Sequence, residues 1–310
     1  MKSSGAVEDL FWLDRSWFAK RVSRQEAEAF CRDLACRHYE NFTVISFLLP
    51  RRLRQHFSNV YAYCRVSDDL ADEAGDAKRS LASLQEWQEH LDRCYAGEAS
   101  HPVFVALQST IRQFDIPKDP FADLLKAFRQ DQIQTRYRTW EALLGYCRYS
   151  ANPVGRLVLY LCGHRDERRQ RLSDETCTAL QLTNFWQDVA RDYRRGRIYI
   201  PLELMEAHGY SEDLLGRGVF NGAWVSLMKH LVNRTRPLFY SGLKLCSLLR
   251  GRVSVDIELF SRGGLEILRA IEASGCDTLH QRPVLTHWKE TRLIAGALLR
   301  SLNPLRRNPA

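Results

Sequence analysis

An all-α fold is what this 310-residue sequence predicts, on three grounds. Apolar residues recur at helical spacing from residue 23 to 300, and no run of alternating β-branched residues bounded by turn pairs is present. Prolines at 50, 102, 117, 201 and 283 fall where one helix should give way to the next. With 45% hydrophobic and 26% charged residues, the chain is long enough to bury a large core and too apolar to be disordered. Connections are short, so one domain is expected over residues 1–310, with a core of about 24–300 and short flexible termini.

The first helix is expected at 24–39, where Ser23 and Glu26 form a capping box. Helices follow at 51–73, 78–96, 101–114 and 120–136, the last announced by Asp119 before Pro120. A helix at 139–162 has to break or kink, because Asn152, Pro153 and Gly155 stand in its middle and proline removes a backbone donor. Ser173, Asp174 and Glu175 announce a helix at 174–194, and three more are placed at 222–249, 255–274 and 285–300.

Lys and Arg outnumber Asp and Glu by 45 to 37, a net charge of +8 that favours phosphates, acidic lipid or nucleic acid as partners. Nucleic acid is excluded: the basic residues are scattered, and no helix-turn-helix, zinc or RNA-binding signature accompanies them. Uncharged runs are short: Thr176 to Gln187 has twelve residues and is partly polar, well short of the roughly 18 that a spanning helix needs. Nine cysteines, an odd number without CxxC spacing, read as reduced and packed thiols. Glu8, Asp9 and Asp14, mixed among Leu10, Phe11, Trp12 and Leu13, do not make a secretion signal, so a cytoplasmic protein is expected. A C-terminal helix with Arg292, Arg300, Arg306 and Arg307 beside Leu293, Ile294, Leu298 and Leu299 would either dock on the cytoplasmic membrane face or pack on the core.

Chemistry is concentrated in two helices. Between Cys177 and Asp192 the apolar residues point in several directions, as in a buried helix, while Gln181, Asn184, Asp188 and Asp192 stack along one face. Val60 to Glu73 repeats the arrangement, with Tyr61, Arg65, Asp68 and Asp72 on one side. Two buried carboxylates on one turn repel each other and lose hydration, so cations must compensate them. Oxygen pairs with room for water suit Mg²⁺, with Mn²⁺ as an alternative. Arg65 beside the first pair, and Arg191, Arg194, Arg195 and Arg197 around the second, would neutralise a diphosphate. No glycine-rich nucleotide loop follows a strand, so no NADPH site is expected.

The segments YAYCRVSDDLADE (61–73) and LQLTNFWQDVARDYRRGRIYIP (180–201) resemble the squalene/phytoene synthase family of head-to-head isoprenoid enzymes. ENFTVISFLLPRRLR (40–54), YCRYSANPVGRL (146–157) and ELFSRGGLEIL (258–268) are similar to its bacterial hydroxysqualene synthase branch of hopanoid biosynthesis. The resemblance covers roughly residues 25–280. It implies the isoprenoid synthase fold, a single helical domain around a central active-site cavity, with two aspartate motifs facing each other and holding diphosphate through Mg²⁺. Carried over residue by residue, Asp68, Asp72, Asp188 and Asp192 are the metal ligands. Arg65, Gln181, Asn184 and Tyr199, with His38 and Asn41, bind substrate; Tyr146 and Arg65 serve catalysis. By spacing alone Tyr146 is a packed aromatic and His38 a helix-end residue. Two departures from the family pattern, Gln187 where some relatives have arginine and Tyr39 where they have a small hydroxyl residue, fit an enzyme handling one diphosphate.

The activity so implied is ionisation of presqualene diphosphate and capture of water to give hydroxysqualene. Pathway neighbours would make the one and reduce the other. Head-to-head condensation of two prenyl diphosphates shares every metal ligand and is the alternative; a non-catalytic scaffold is another, against which four costly acids argue.

Overall fold

The structure, a computed structural model, describes residues 22–37, 50–72, 76–249 and 252–284. The expected helix at 285–300 and the terminal membrane-docking residues lie outside these. Among the described residues there is no strand beyond one isolated bridge, and no helix is long and apolar enough to cross a membrane. The chain divides into two compact units between Gln132 and Ile133.

In the first unit, α1 (Arg24–Arg37), α2 (Arg51–Asp72), α3 (Ala77–Ala96), α4 (Pro102–Phe114) and α5 (Asp119–Asp131) follow the expected order. The capping box is formed: Ser23 N donates to Glu26 Oε2 at 2.8 Å, and Glu26 N donates back to Ser23 Oγ at 3.3 Å. Helix α2 is the axis on which the others pack. Its Tyr63, fully buried, is edged by Phe104 and Phe121 with centroids at 5.9 and 5.0 Å, and its hydroxyl donates to Phe121 O. Buried Asn59 donates to Ala106 O and Thr110 Oγ1, so this amide is bonded inside the core. Helix α5 stops at Asp131, five residues before the sequence pattern suggested.

In the second unit, α6 (Trp140–Ser150) and α7 (Asn152–Leu161) are the two halves of the helix expected to break, with Ala151 as the joint and Pro153 in the first turn of α7. Helix α8 (Glu167–Gln187) begins six residues before Ser173. Asp166 caps it by accepting from Arg169 N, a stronger start signal than Ser173 because its carboxylate also complements the helix dipole. As expected, α8 is buried on several sides: Trp186 donates to Thr235 Oγ1, and Thr176 meets Ser261. Close approach is made possible by two glycines. A Cβ at Gly155 would run into Ser173 and Cys177, and one at Gly242 into Thr176.

After α8 come α9 (Val189–Arg194), the short α10 (Leu202–Ala207) and α11 (Glu212–Gly216), then α12 (Gly222–Leu243), α13 (Leu245–Leu248) and α14 (Arg252–Ala273). The two short helices occupy a stretch that carries no helical period. Ile198 N bonds Thr135 O and Leu202 N bonds Tyr137 O, which lays residues 198–202 along 135–137. All nine cysteines are free thiols.

Candidate functional site

The first acidic motif lies on an unbroken stretch of α2. Ala62, Tyr63, Val66 and Leu70 form its buried face, and Asp69, three residues after Val66 and seven after Ala62, falls among them. The buried acid is therefore Asp69, at 1% exposure, and not Asp68 or Asp72 as the spacing argument had it. Asp68 is 50% exposed, and Asp72 is exposed as well. Arg65 bonds Asp69 Oδ1 at 2.5 Å and stands 3.8 Å from Asp68 Oδ2, so its charge is engaged on the helix itself.

The second motif is built differently. Where the sequence suggested a continuous helix to 194, α8 ends at Gln187. Asp188 takes φ −102° and ψ 15°, and α9 restarts at Val189. Asp192 N still bonds Asp188 O at 2.8 Å, so the four-residue spacing keeps the two carboxylates on one turn. Asn184 O accepts from Asp188 N; the Asn184 side chain is exposed and Gln181 half-buried on α8. Burial and the neighbouring Asp188 charge push the Asp192 carboxyl up to about 7, against the pull of Arg197, Arg195 and Arg191.

Asp188 itself is held by a residue the sequence argument passed over. Arg282 grips it with both prongs, Nε to Oδ1 at 2.7 Å and Nη2 to Oδ2 at 3.0 Å. Gln187, the residue noted as a departure, donates its amide to Pro283 O at 2.6 Å and so fixes the segment carrying Arg282. Asp69 was legible from the helical period of α2. Arg282, 94 residues from its partner, carries no local signal.

Tyr146 and Tyr199 come together in an aromatic group that sequence reasoning did not foresee. Phe185 lies flat on Tyr199, with centroids at 3.8 Å and planes at 8°; Tyr146 and Tyr137 each stand 5.8 Å from Tyr199. Beside them a small recess is lined by Phe185, Val189, Asp192, Arg197, Ile198 and Tyr199 among others. Aromatic faces, a carboxylate and a guanidinium thus border one recess, and cations and anions alike have a counterpart on its walls. His38 and Asn41, with Tyr39, lie outside the described residues.

Among the described residues no three His, Cys, Asp or Glu side chains form a complete ligand set. Two carboxylates on one turn, one of them raised by burial and by the other's charge, nonetheless fit a hard divalent cation, which binds through one or two carboxylates and completes its shell with water and phosphate. Asp188 and Asp192 are the residues that would hold it in the second unit; Asp68 and Asp72 offer the equivalent spacing in the first.

A family model for squalene/phytoene synthases matches residues 35–289. Over 296 residues the chain is 31% identical to a 15-cis-phytoene synthase of Synechococcus elongatus, covering 90% of this chain and 95% of that one. It is 41% identical over 184 residues to a hydroxysqualene synthase of Zymomonas mobilis, 57% of this chain and 60% of the relative. The crystal structure of squalene synthase HpnC from Alicyclobacillus acidocaldarius aligns with TM-score 0.79 at 44% identity, covering 84% of this chain and 99% of that one.

Proposed function

This chain belongs to the squalene/phytoene synthase family and has its all-α isoprenoid synthase fold, and from that premise we propose that it converts presqualene diphosphate to hydroxysqualene. The observation that carries the metal-diphosphate part of this reading is the pair Asp188 and Asp192, a half-buried acidic turn whose mutual repulsion calls for a cation. The choice of reaction leans on identity. Matches of 44% and 41% to a squalene synthase and a hydroxysqualene synthase exceed the 31% to a phytoene synthase.

Bound Mg²⁺ would supply Lewis-acid stabilisation of the leaving diphosphate. Asp68 and Asp72 in the first motif, and Asp188 and Asp192 in the second, would be metal ligands, with Gln181 and Asn184 extending the second motif. Arg65, His38, Asn41 and Tyr199 would contact the diphosphate as the C–O bond breaks and its electron pair departs with oxygen. The remaining cyclopropylcarbinyl cation rearranges to an allylic C30 cation. Water adds to it and loses a proton, and the products are hydroxysqualene and diphosphate. Tyr146, packed within 6.1 Å of Phe185 and 5.8 Å of Tyr199, would act in the ionisation from this aromatic wall. Contact with a membrane surface would give substrate and product a route in and out.

A second reading, head-to-head condensation of two prenyl diphosphates, is favoured by the phytoene synthase match, which spans 90% of this chain where the hydroxysqualene synthase match spans 57%. Incubation of purified protein with presqualene diphosphate and Mg²⁺, without NADPH, decides between them by mass analysis of the lipid. Hydroxysqualene from the wild type and not from Asp188→Ala is the expected result. Untouched presqualene diphosphate with consumption of two farnesyl diphosphates hands the site to the condensing reading.

A further inference from the structure

We propose that Arg282, fixed through Gln187, is a built-in cation on the second acidic motif that a divalent metal has to displace, so that the motif binds metal weakly until Arg282 is driven off. The inference rests on the reading of Asp188 and Asp192 as the metal-holding pair. It starts from the geometry of Asp188, whose side chain is only 16% exposed and whose two oxygens both accept from one guanidinium. A divalent ion that size coordinates carboxylate oxygen at about 2.1 Å. It would stand beside the positive guanidinium within a few ångströms, a like-charge contact that partly buried surroundings strengthen. Either cation relieves the repulsion between Asp188 and Asp192; both at once do not fit.

The placement of Arg282 is not incidental. On one side the backbone is secured by the bond from Gln187 Nε2 to Pro283 O. On the other, His280 N donates to Asp277 Oδ1, and Cys276 O accepts from the buried Trp224 ring nitrogen. The strap from 276 to 284 is thus tied at two points, Cys276 and Pro283, with Arg282 between them and the Asp277–His280 bond holding a turn within it. The residue that ties it next to Asp188 is Gln187, the position immediately before the motif aspartate. Exchange of one cation for another is a coupling between two mutually exclusive partners, for which factors of about 5–150 in affinity are typical. Removal of the internal cation should therefore tighten metal binding in the absence of any substrate.

The test is a Mn²⁺ titration of the full chain without diphosphate, with free Mn²⁺ followed by electron paramagnetic resonance. Arg282→Gln should lower the dissociation constant about tenfold. Gln187→Leu, which only loosens the strap, should lower it by a smaller factor, about threefold. Arg282→Lys, which keeps the charge without the fork, should fall between wild type and Arg282→Gln, and guards against a glutamine variant that folds poorly. If neither Arg282 variant binds Mn²⁺ more tightly than wild type, the displacement mechanism is overturned. Adding Asp188→Asn to Arg282→Gln should erase the gain. A gain that survives it puts the metal elsewhere, which overturns the metal-holding reading of Asp188 itself, and that result is distinguishable from a latch that does not act.

Discussion

The two acidic motifs share one spacing and solve the problem of charge in opposite ways. On α2 the helix runs unbroken, Asp68 and Asp72 lean outward, and the one acid that points inward, Asp69, is neutralised a single turn away by Arg65. At the end of α8 the helix stops at Asp188, the acids are partly buried, and the neutralising charge comes from Arg282 on a distant strap. Compensation is local in the first motif and tertiary in the second. A local solution forms with the helix and stays; a tertiary one depends on how a remote segment is held, and so can be exchanged.

The sharpest way to break this contrast is to remove each arginine. Arg65→Ala removes the guanidinium from a carboxylate that is 1% exposed and should cost about 3–5 kcal/mol in denaturant unfolding. Arg282 is 50% exposed, and Arg282→Ala should cost no more than about 1 kcal/mol. Equal costs would mean that Asp69 does not draw its compensation from Arg65. Activity should show no such asymmetry. Asp68→Asn and Asp188→Asn should each lower kcat/KM with presqualene diphosphate by about 10²–10³, since each withdraws an oxygen from the leaving group's counter-charge. A loss confined to one of them would assign the diphosphate to a single motif.

Much of this was legible in the sequence, because helical period and caps are local. The capping box at Ser23 and Glu26, the break around Pro153 and the burial of α8 on several sides all stand in the structure as the residue pattern indicates. Three things did not follow from it. The short helices Leu202–Ala207 and Glu212–Gly216 are too brief for a period to show. The stop at Asp188 has no proline or glycine to mark it. Arg282 and the ring pair Phe185 and Tyr199 meet only through tertiary packing. The placement of Asp69 was present in the pattern, since it shares the α2 face of Val66 and Ala62. Attention to the i, i+4 pair of Asp68 and Asp72 hid it.

The smallest expected effect is the most specific to the difference between the motifs. In the folded chain the Asp192 carboxyl keeps its proton up to about pH 7, because burial and Asp188 disfavour its charge. In the unfolded chain it loses that proton near the usual carboxylate value of about 4. Between these two values the folded state binds more protons than the unfolded one, so stability falls as pH rises and levels off above 7. Asp192→Asn should flatten the decline and stabilise the protein at pH 8 by on the order of 1–2 kcal/mol, once solvent screening is allowed for. Asp72→Asn, on the exposed side of α2, should change stability by less than about 0.5 kcal/mol at any pH. Thermal melting of the three proteins from pH 5 to 8 measures this. Millimolar Mg²⁺ should flatten the wild-type decline as the substitution does, because a cation on the acidic turn lowers the cost of ionising Asp192. A wild-type slope indifferent to both would leave the second motif no more strained than the first, and the contrast between local and tertiary compensation would have no energetic content.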